Sequence, residues 1–315
     1  MRSKKNKMTF AQKVKKHKHL IPFVIPAMVF ALIFCYLPMA GIVIAFKDKP
    51  NFVRYDTVIE ALQNAKWTTE HFEKIFSDPE IFSVVKNTLI ISIMKIVILF
   101  PLPVILAVMI TELRSKRFSK LVQGVVFLPH FFSWVVIVGI FTTLFSLYGP
   151  INNLTALWGG EKTFYMGEPG WFRWLVVILS GWKEIGYSSI VYIAAIMSID
   201  PALYEAAKID GAGKLKQIWS ITIPSILPTI IVMLIIRIGY LMDAGFEQVY
   251  AMLNHNTADK GEIIGTFVYK LSMGSQGAMQ YGLPTAVGLI NGLISMALIL
   301  GANYISKKKT GSGVW

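Results

Sequence analysis

A carboxylate, a phenol and a hydroxyl recur along one short apolar stretch of this chain. Glu184, Tyr187 and Ser188 are spaced by three and four residues, which places them on one face of a helix. Such a face, with Trp182 beside it, suits a sugar, which offers hydroxyl groups and an apolar ring face. Arg237 and Asn291 are candidates from later apolar stretches. The same residues have a second reading, as polar pairs that hold helices together, and the residues alone leave both open.

Other catalytic or metal-binding patterns are missing from the sequence. The five histidines show no close metal spacing, no GxxxxGK[ST] phosphate loop occurs, and the only cysteine, Cys35, lies inside an apolar run. His130 follows a proline and reads as a core histidine more readily than as a ligand. We therefore expect no catalytic residue, no metal site, no ATPase site and no bound cofactor, so the chain is predicted not to be an enzyme.

The elements that must position these residues are long apolar runs. Of the 315 residues, 54% are hydrophobic and 16% are charged, well below the charged share of a soluble domain. About 20 apolar helical residues cross a bilayer, and only helices satisfy the backbone there. The sequence predicts an all-α integral membrane protein. Its six predicted spans are 20–46, 87–111, 121–148, 174–199, 218–242 and 282–306.

Basic residues are distributed unevenly between the two sides that six spans define. Eighteen Lys and Arg fall in the short segments 1–19, 112–120, 200–217 and 307–315, against ten in the longer loops of the other side. The positive-inside rule makes the first side cytoplasmic, with both termini on it. Residues 1–19 then form a basic arm, 307–315 a tail, and 20–306 a six-span domain. The net charge of +13 serves topology, so no nucleic-acid partner is expected.

The segment 200–220, between the fourth and fifth predicted spans, reads as a helical elbow. Asp200 is a good N-cap and Pro201 suits a first helical turn. Gly211 permits a positive φ and a sharp turn after Asp210. A second short helix is expected from about 214 to 220, before Pro224 enters the next span.

This elbow resembles the EAA loop of bacterial ABC importer permeases. The family pattern is EAA, three residues, Gly, nine residues and Ile-x-Leu-Pro; the only departure here is Ile223 in place of Leu. Further stretches, at 72–79, 87–88, 246–250, 285–289 and the tail, are similar to the carbohydrate (maltose-type) branch, near its oligosaccharide and polysaccharide-fragment subgroup. The matching elbow residues are Glu205, Ala206, Ala207, Asp210, Gly211, Ile221 and Pro224.

The resemblance implies a type I importer fold and a defined set of partners. These are a second permease in a heterodimer, two cytoplasmic ATPase subunits that hold ATP and Mg²⁺, and an external solute-binding protein. The elbow would dock on the ATPase and couple its closure to transport. The multi-pass chain would lie in the bacterial plasma membrane and translocate a carbohydrate.

Three alternatives stay open at this point. The same scaffold could carry another solute, such as glycerol phosphate or a peptide, although an anionic substrate calls for more than the few basic groups in the spans. An ion-coupled secondary transporter needs repeat halves and no such elbow. A membrane-embedded enzyme needs clustered nucleophiles or acids, which the sequence lacks.

Overall fold

The chain folds almost entirely into helices in a computed structural model that describes residues 21–50, 52, 54–274 and 279–314. Within those ranges the only strand-like feature is one isolated bridge between Lys47 and Trp67. The predicted basic arm 1–19 lies outside the described residues. The α-helices are Ile21–Ala31, Val58–Asn64, Glu70–Ser77, Pro79–Met94, Pro101–Thr111, Lys116–Phe127, Trp134–Leu144, Pro150–Leu157, Pro169–Met197, Pro201–Ile209, Lys214–Gln217, Ile223–Gly239, Phe246–Met252, Ala258–Gly261, Ile264–Ser272 and Gly282–Thr310.

Four continuous helical segments are long and apolar enough to cross a membrane. They are the first span Pro22–Phe46, the second span Pro79–Thr111, the fifth span Lys214–Gly239 and the sixth span Gly282–Thr310. Two bent pairs raise the number to as many as six in the described part of the chain. The first pair, Lys116–Phe131 with Trp134–Leu144, is the third span; Pro169–Met197, the fourth span, bends into Pro201–Ile209.

Prolines inside three spans are accommodated by local π-helix. Proline has no N–H, so the carbonyl four residues before it loses its helical donor. A wider turn around that carbonyl is one way for a helix to continue. In each case the central residue of a five-residue π segment is the one four positions before the proline. The segments and prolines are Leu32–Tyr36 with Pro38, Lys95–Leu99 with Pro101, and Ile218–Thr222 with Pro224.

The third span is not the single helix expected over 121–148. It breaks after Phe131, and its two halves meet at 102°. Pro129 lies in a short 3-10 turn, Phe132 is extended, and the Ser133 side chain caps the second half. Lys183 of the fourth span donates to the carbonyls of His130, at 2.8 Å, and Phe132. An ammonium thus satisfies carbonyls that the break leaves without helical donors.

The fourth span lies at the centre of the bundle. Gly186 crosses the third span so closely that a Cβ there would overlap the carbonyl oxygen of Val126. At one end of the fourth span, the buried residues Phe172 and Leu175 pack in a hydrophobic core with Val249. At the other end, Tyr192 and Ile193 pack with residues of the second and fifth spans. The fourth span therefore holds the spans that surround the candidate site.

Polar bonds tie the second and fourth spans together near their N-terminal ends. Arg173 donates to the amide oxygen of Asn87 at 2.7 Å, and Asn87 donates to the carbonyl of Asp259 at 3.0 Å. The Thr88 hydroxyl accepts from the backbone N–H of Ile264 at 3.0 Å. Asn87 and Thr88 are 3% and 0% exposed, so the Asn-Thr pair noted in the sequence anchors the connection between the fifth and sixth spans.

Candidate functional site

A cavity of about 320 Å³ lies between the second, fourth and fifth spans. This volume is at the lower end of the range for small-molecule sites. Its wall combines charged groups, hydroxyls and aromatic rings with apolar side chains. The lining residues are Ser92, Lys95, Ile96, Leu99, Phe100, Pro103, Glu184, Ser188, Tyr192, Met233, Arg237, Tyr240, Leu241, Asp243, Ala244 and Gly245.

Three of the six predicted substrate-path residues meet in this cavity. Glu184, Ser188 and Arg237 all line it, although Arg237 comes from another span. The guanidinium of Arg237 lies 2.8 Å from a carboxylate oxygen of Glu184. Their side chains are 45% and 30% exposed, so both stay accessible from the cavity side. The site thus contains a charged pair and a hydroxyl that can each hydrogen-bond to a polar ligand.

The other three predicted residues lie outside the cavity lining. The Tyr187 ring stacks on His130 with ring centres 3.7 Å apart, against the break in the third span. Trp182 makes an edge contact with Phe141. Asn291 belongs to the sixth span, and its side-chain oxygen is buried without a hydrogen-bond partner. Helical spacing alone could not separate these roles, because each depends on which neighbour a helix face meets.

Lys95, for which the sequence indicates no specific role, is a main polar element of the cavity. Its ammonium donates to the carbonyl of Ala244 and to the side-chain oxygen of Gln248, both at 2.9 Å. Gln248 is fully buried; its amide donates to the carbonyl of Val176 at 2.7 Å, and its oxygen also accepts from Ser180 at 2.6 Å. This network fixes the turn after the fifth span against the second and fourth spans.

The segment Phe246–Met252, which contains the stretch 246–250 noted in the sequence, has a buried side and an aromatic side. Gln248 and Val249 face the buried side, whereas Phe246 and Tyr250 stack together at 5.6 Å. Tyr250 also packs edge-on against Tyr269, and a hydrogen bond between the two side chains raises the pKa of Tyr250. The Tyr250 phenol therefore stays neutral at physiological pH.

The elbow forms the second candidate site, and its local geometry follows the sequence. Asp200 accepts a hydrogen bond from the backbone N–H of Ala202 at 2.9 Å and caps the elbow helix Pro201–Ile209. The chain then turns at Gly211, where φ is +74°. The backbone N–H of Ala212 donates to the carbonyl of Ala207 at 2.8 Å, which closes the helix end. Glu205, Ala206 and Asp210 are exposed on this elbow.

The expected second short helix is instead the beginning of the fifth span. Lys214–Gln217 runs without interruption through the π segment into Ile223–Gly239, so Ile221 and Pro224 lie within one continuous helix. The π segment explains this, because it relieves the conflict at Pro224 that would otherwise end the helix. Lys214 and Gly239 are therefore the two ends of one continuous helix.

Two side-chain contacts fasten the elbow to the spans. The hydroxyls of Tyr204 and Thr222 are 2.9 Å apart, and Lys214 pairs with Glu112 at the end of the second span at 2.6 Å. Around them several large apolar side chains are exposed beyond what a solvated loop needs. They are Leu203, Ile209, Leu215 and Trp219.

Comparison with known proteins identifies the scaffold that carries these two sites. Residues 100–310 match the family described as binding-protein-dependent transport system inner membrane component. The chain belongs to this family. It is a permease subunit of an ABC importer, a multi-pass component of the inner membrane.

Proteins similar to this permease over nearly its whole length include permeases of saccharide transporters. It is 39% identical over 305 residues to the polygalacturonan/rhamnogalacturonan transport system permease protein YteP of Bacillus subtilis (strain 168), covering 96% of this chain and 92% of that protein. It also superposes on a chain of a bacterial ABC transporter that imports the acidic polysaccharide alginate, with a TM-score of 0.85 and 35% identity over 95% and 98% of the two chains. The predicted fold class and permease family are therefore confirmed.

A second solved structure shows the same kind of transporter with its delivery protein. A chain of the bacterial alginate ABC transporter, in complex with an alginate pentasaccharide-bound periplasmic protein, matches this permease with a TM-score of 0.85. Its identity is 36%, and the match covers 97% of this chain and 99% of that one.

Proposed function

We propose that this permease forms half of a membrane pathway that carries an oligosaccharide, such as a fragment of a polysaccharide, into the cytoplasm. The observation that carries the proposal is the course of the fifth span. Its first half holds Thr222, which contacts the elbow, and its second half holds Arg237, which lines the cavity. One continuous helix thus connects the elbow contact with the wall of the cavity.

The elbow is the proposed coupling element. A second permease, two cytoplasmic ATPase subunits and an external solute-binding protein complete the assembly, and ATP and Mg²⁺ reside on the ATPases. Glu205 offers a carboxylate for a charge-assisted bond, and the small Ala206 and Ala207 allow close approach of the ATPase surface. Closure of the ATPases on ATP displaces the elbow and switches the spans between two access states.

The cavity chemistry supports a saccharide as the solute. The carboxylate of Glu184 and the hydroxyl of Ser188 match sugar hydroxyls, while Tyr240 and Phe100 offer ring faces. The names of the relatives support the same class, since they specify galacturonan, rhamnogalacturonan and alginate transport. The glycerol phosphate and peptide alternatives find no comparable support among them.

Co-purification from detergent tests the assembly, and uptake by cells tests the solute. A tagged chain is expected to bring down a second permease and an ATP-hydrolysing subunit. Deleting its gene is expected to abolish uptake of labelled oligosaccharides while glycerol phosphate uptake continues. A lone folded chain without an ATPase, or unchanged oligosaccharide uptake after deletion, would overturn the proposal.

A further inference from the structure

Lys95 is a cation of the second span whose hydrogen-bond partners are all neutral. Its ammonium contacts the carbonyl of Ala244 and the amide oxygen of Gln248. It belongs to none of the three ion pairs found in the described part of the chain. A charged side chain within a membrane span is energetically unfavourable, and such residues usually have a function.

The ammonium of Lys95 has one donor more than these contacts use. It carries three N–H groups, and the two acceptors occupy two of them. Gln248 cannot take the third, because its oxygen already accepts from both Lys95 and Ser180. A donor is therefore left for the cavity that Lys95 lines.

Ser92 supplies a second unsatisfied group on the same wall. It precedes Lys95 by three residues, so the two side chains project from one face of the second span. Ser92 is 4% exposed and lines the cavity, yet its hydroxyl has no hydrogen-bond partner. A buried polar group without a partner is uncommon in native proteins, and the Ser92 hydroxyl is available to a ligand in the cavity.

The acidic groups of the cavity do not fill this position. Glu184 is held by Arg237 at 2.8 Å. Asp243 is exposed, and both carboxylates act on Lys95 only through space, without a hydrogen bond. Two donors therefore remain without an acceptor at the cavity: the third N–H of the Lys95 ammonium and the hydroxyl of Ser92. This arrangement suits the two oxygens of a carboxylate.

We propose that Lys95 and Ser92 form a carboxylate subsite, so that this cavity selects an acidic (uronic) sugar unit over a neutral one. The inference rests on the proposed function and sharpens its substrate class. The cavity volume of about 320 Å³ suits a small ligand part such as one sugar unit, with Arg237, Glu184 and Ser188 available to its hydroxyls. One carboxylate needs only one such cation, which answers the objection that the spans hold few basic groups.

Direct binding of saccharides to the importer in lipid nanodiscs tests this subsite. The solute-binding protein is omitted, so that its own selectivity does not contribute to the measured affinity. The probes are uronic trisaccharides, including trigalacturonate and alginate trisaccharide, each compared with its carboxyl-reduced neutral form by calorimetry. The variants are Lys95→Gln, Lys95→Arg and Ser92→Ala. Lys86→Gln, an exposed lysine of the same helix, is the matched control.

We expect at least one uronic trisaccharide to bind about tenfold or more tightly than its reduced form. Lys95→Gln should remove that preference, Ser92→Ala should reduce it, and Lys95→Arg should retain part of it, while the neutral form changes less than about twofold. Equal affinity for acidic and reduced forms, no binding of any uronic trisaccharide, or equal losses for both forms in Lys95→Gln would overturn the subsite. Loss of the proposed function itself would instead appear as no oligosaccharide uptake by the unmodified importer.

Discussion

The phenolic oxygen of Tyr204 lies 2.9 Å from the hydroxyl oxygen of Thr222, which joins the elbow helix to the fifth span. Thr222 is 3% exposed, so this contact is shielded from water. This contact and the continuous helix from Lys214 to Gly239 connect the elbow to the wall of the cavity. The direct contact between the elbow helix and the fifth span is a neutral hydrogen bond, which typically contributes about 1 kcal/mol.

Removing this hydrogen bond should weaken coupling more than it weakens folding. We expect Tyr204→Phe to lower oligosaccharide uptake per ATP hydrolysed by about two- to fivefold, because about 1 kcal/mol of elbow attachment is lost. ATP hydrolysis itself should continue. The measurement is uptake and hydrolysis by the same proteoliposomes.

A double-mutant cycle provides the control for that experiment. Thr222→Val alone and together with Tyr204→Phe should give losses that do not add, since both changes remove the same contact. Fully additive effects would mean that the two hydroxyls act independently and that other contacts attach the elbow helix to the fifth span.

Gly211 should tolerate only residues that accept a positive φ. Its φ is +74°, and no atom lies within 4 Å of the position a Cβ would take. A substitution there is therefore opposed by the backbone, at about 1–2 kcal/mol, and not by a clash. We expect Gly211→Asp to uncouple transport while the protein remains in the membrane, measured by uptake and by immunoblot of membranes. Gly211→Asn should retain more uptake, since Asn adopts this conformation more easily.

Gly213 offers a matched position two residues along the same turn. Its φ is −67°, it caps the fifth span, and its Cβ position is equally open. Gly213→Asp should therefore be tolerated, because Asp is a favourable N-cap. If both Asp variants lose uptake equally, added negative charge, and not backbone geometry, is responsible.

Charge reversal on the elbow tests its docking role without altering its fold. Glu205 is exposed and forms no hydrogen bond through its side chain within the described chain. Glu205→Lys should lower co-purification of the ATPase and uptake together, because a charge-assisted contact becomes a repulsion. Lys208→Glu, which reverses a charge of the opposite sign on the same helix, serves as the comparison. Undiminished ATPase recovery with Glu205→Lys would rule out this carboxylate as a docking contact.

Features set by neighbouring residues were predictable from the sequence. The apolar runs indicated where the long apolar helices lie, because bilayer thickness fixes helix length; four of these helices are continuous, and the described residues hold up to six if each bent pair is one span. Asp200 and Gly211 gave the elbow, since capping and positive φ depend on residues within one turn. Glu184, Ser188 and Arg237, three of the six predicted substrate-path residues, line one cavity, and their role in binding a solute stays a prediction.

Features set by helix rotation and crossing were not predictable. Lys95 meets Gln248 across 153 residues of chain, and no local pattern encodes that distance. Tyr187 shares its helix face with Glu184 and Ser188, yet the broken third span brings His130 against it. Pro129 was visible in the sequence, but the uniform apolarity of 121–148 concealed the break, which also requires Lys183 from another span.

Lys183 should be essential for the broken third span. It is 9% exposed and donates to the carbonyls of His130 and Phe132. Lys183→Met leaves both carbonyls without this donor, which we expect to destabilise the chain by about 2–4 kcal/mol. Thermal unfolding of the purified chain in detergent measures the loss. Lys86→Met, the same change at an exposed position, should leave the midpoint nearly unchanged, and equal shifts in both would show that the loss of charge alone matters.

Close contact between the third and fourth spans should make Gly186 intolerant of even a methyl group. A Cβ at this position would overlap the carbonyl oxygen of Val126, which belongs to backbone and cannot rotate away. Gly186→Ala should therefore destabilise the chain by about 1–3 kcal/mol, the usual range for overpacking. Gly124→Ala is the matched control, because Gly124 lies on the facing helix with open space around its Cβ position. There Ala should be neutral or stabilising by up to about 1 kcal/mol, as helix propensity predicts. Thermal unfolding of the two variants decides the point: equal midpoints would mean that the spans separate readily and that this crossing does not hold the bundle together.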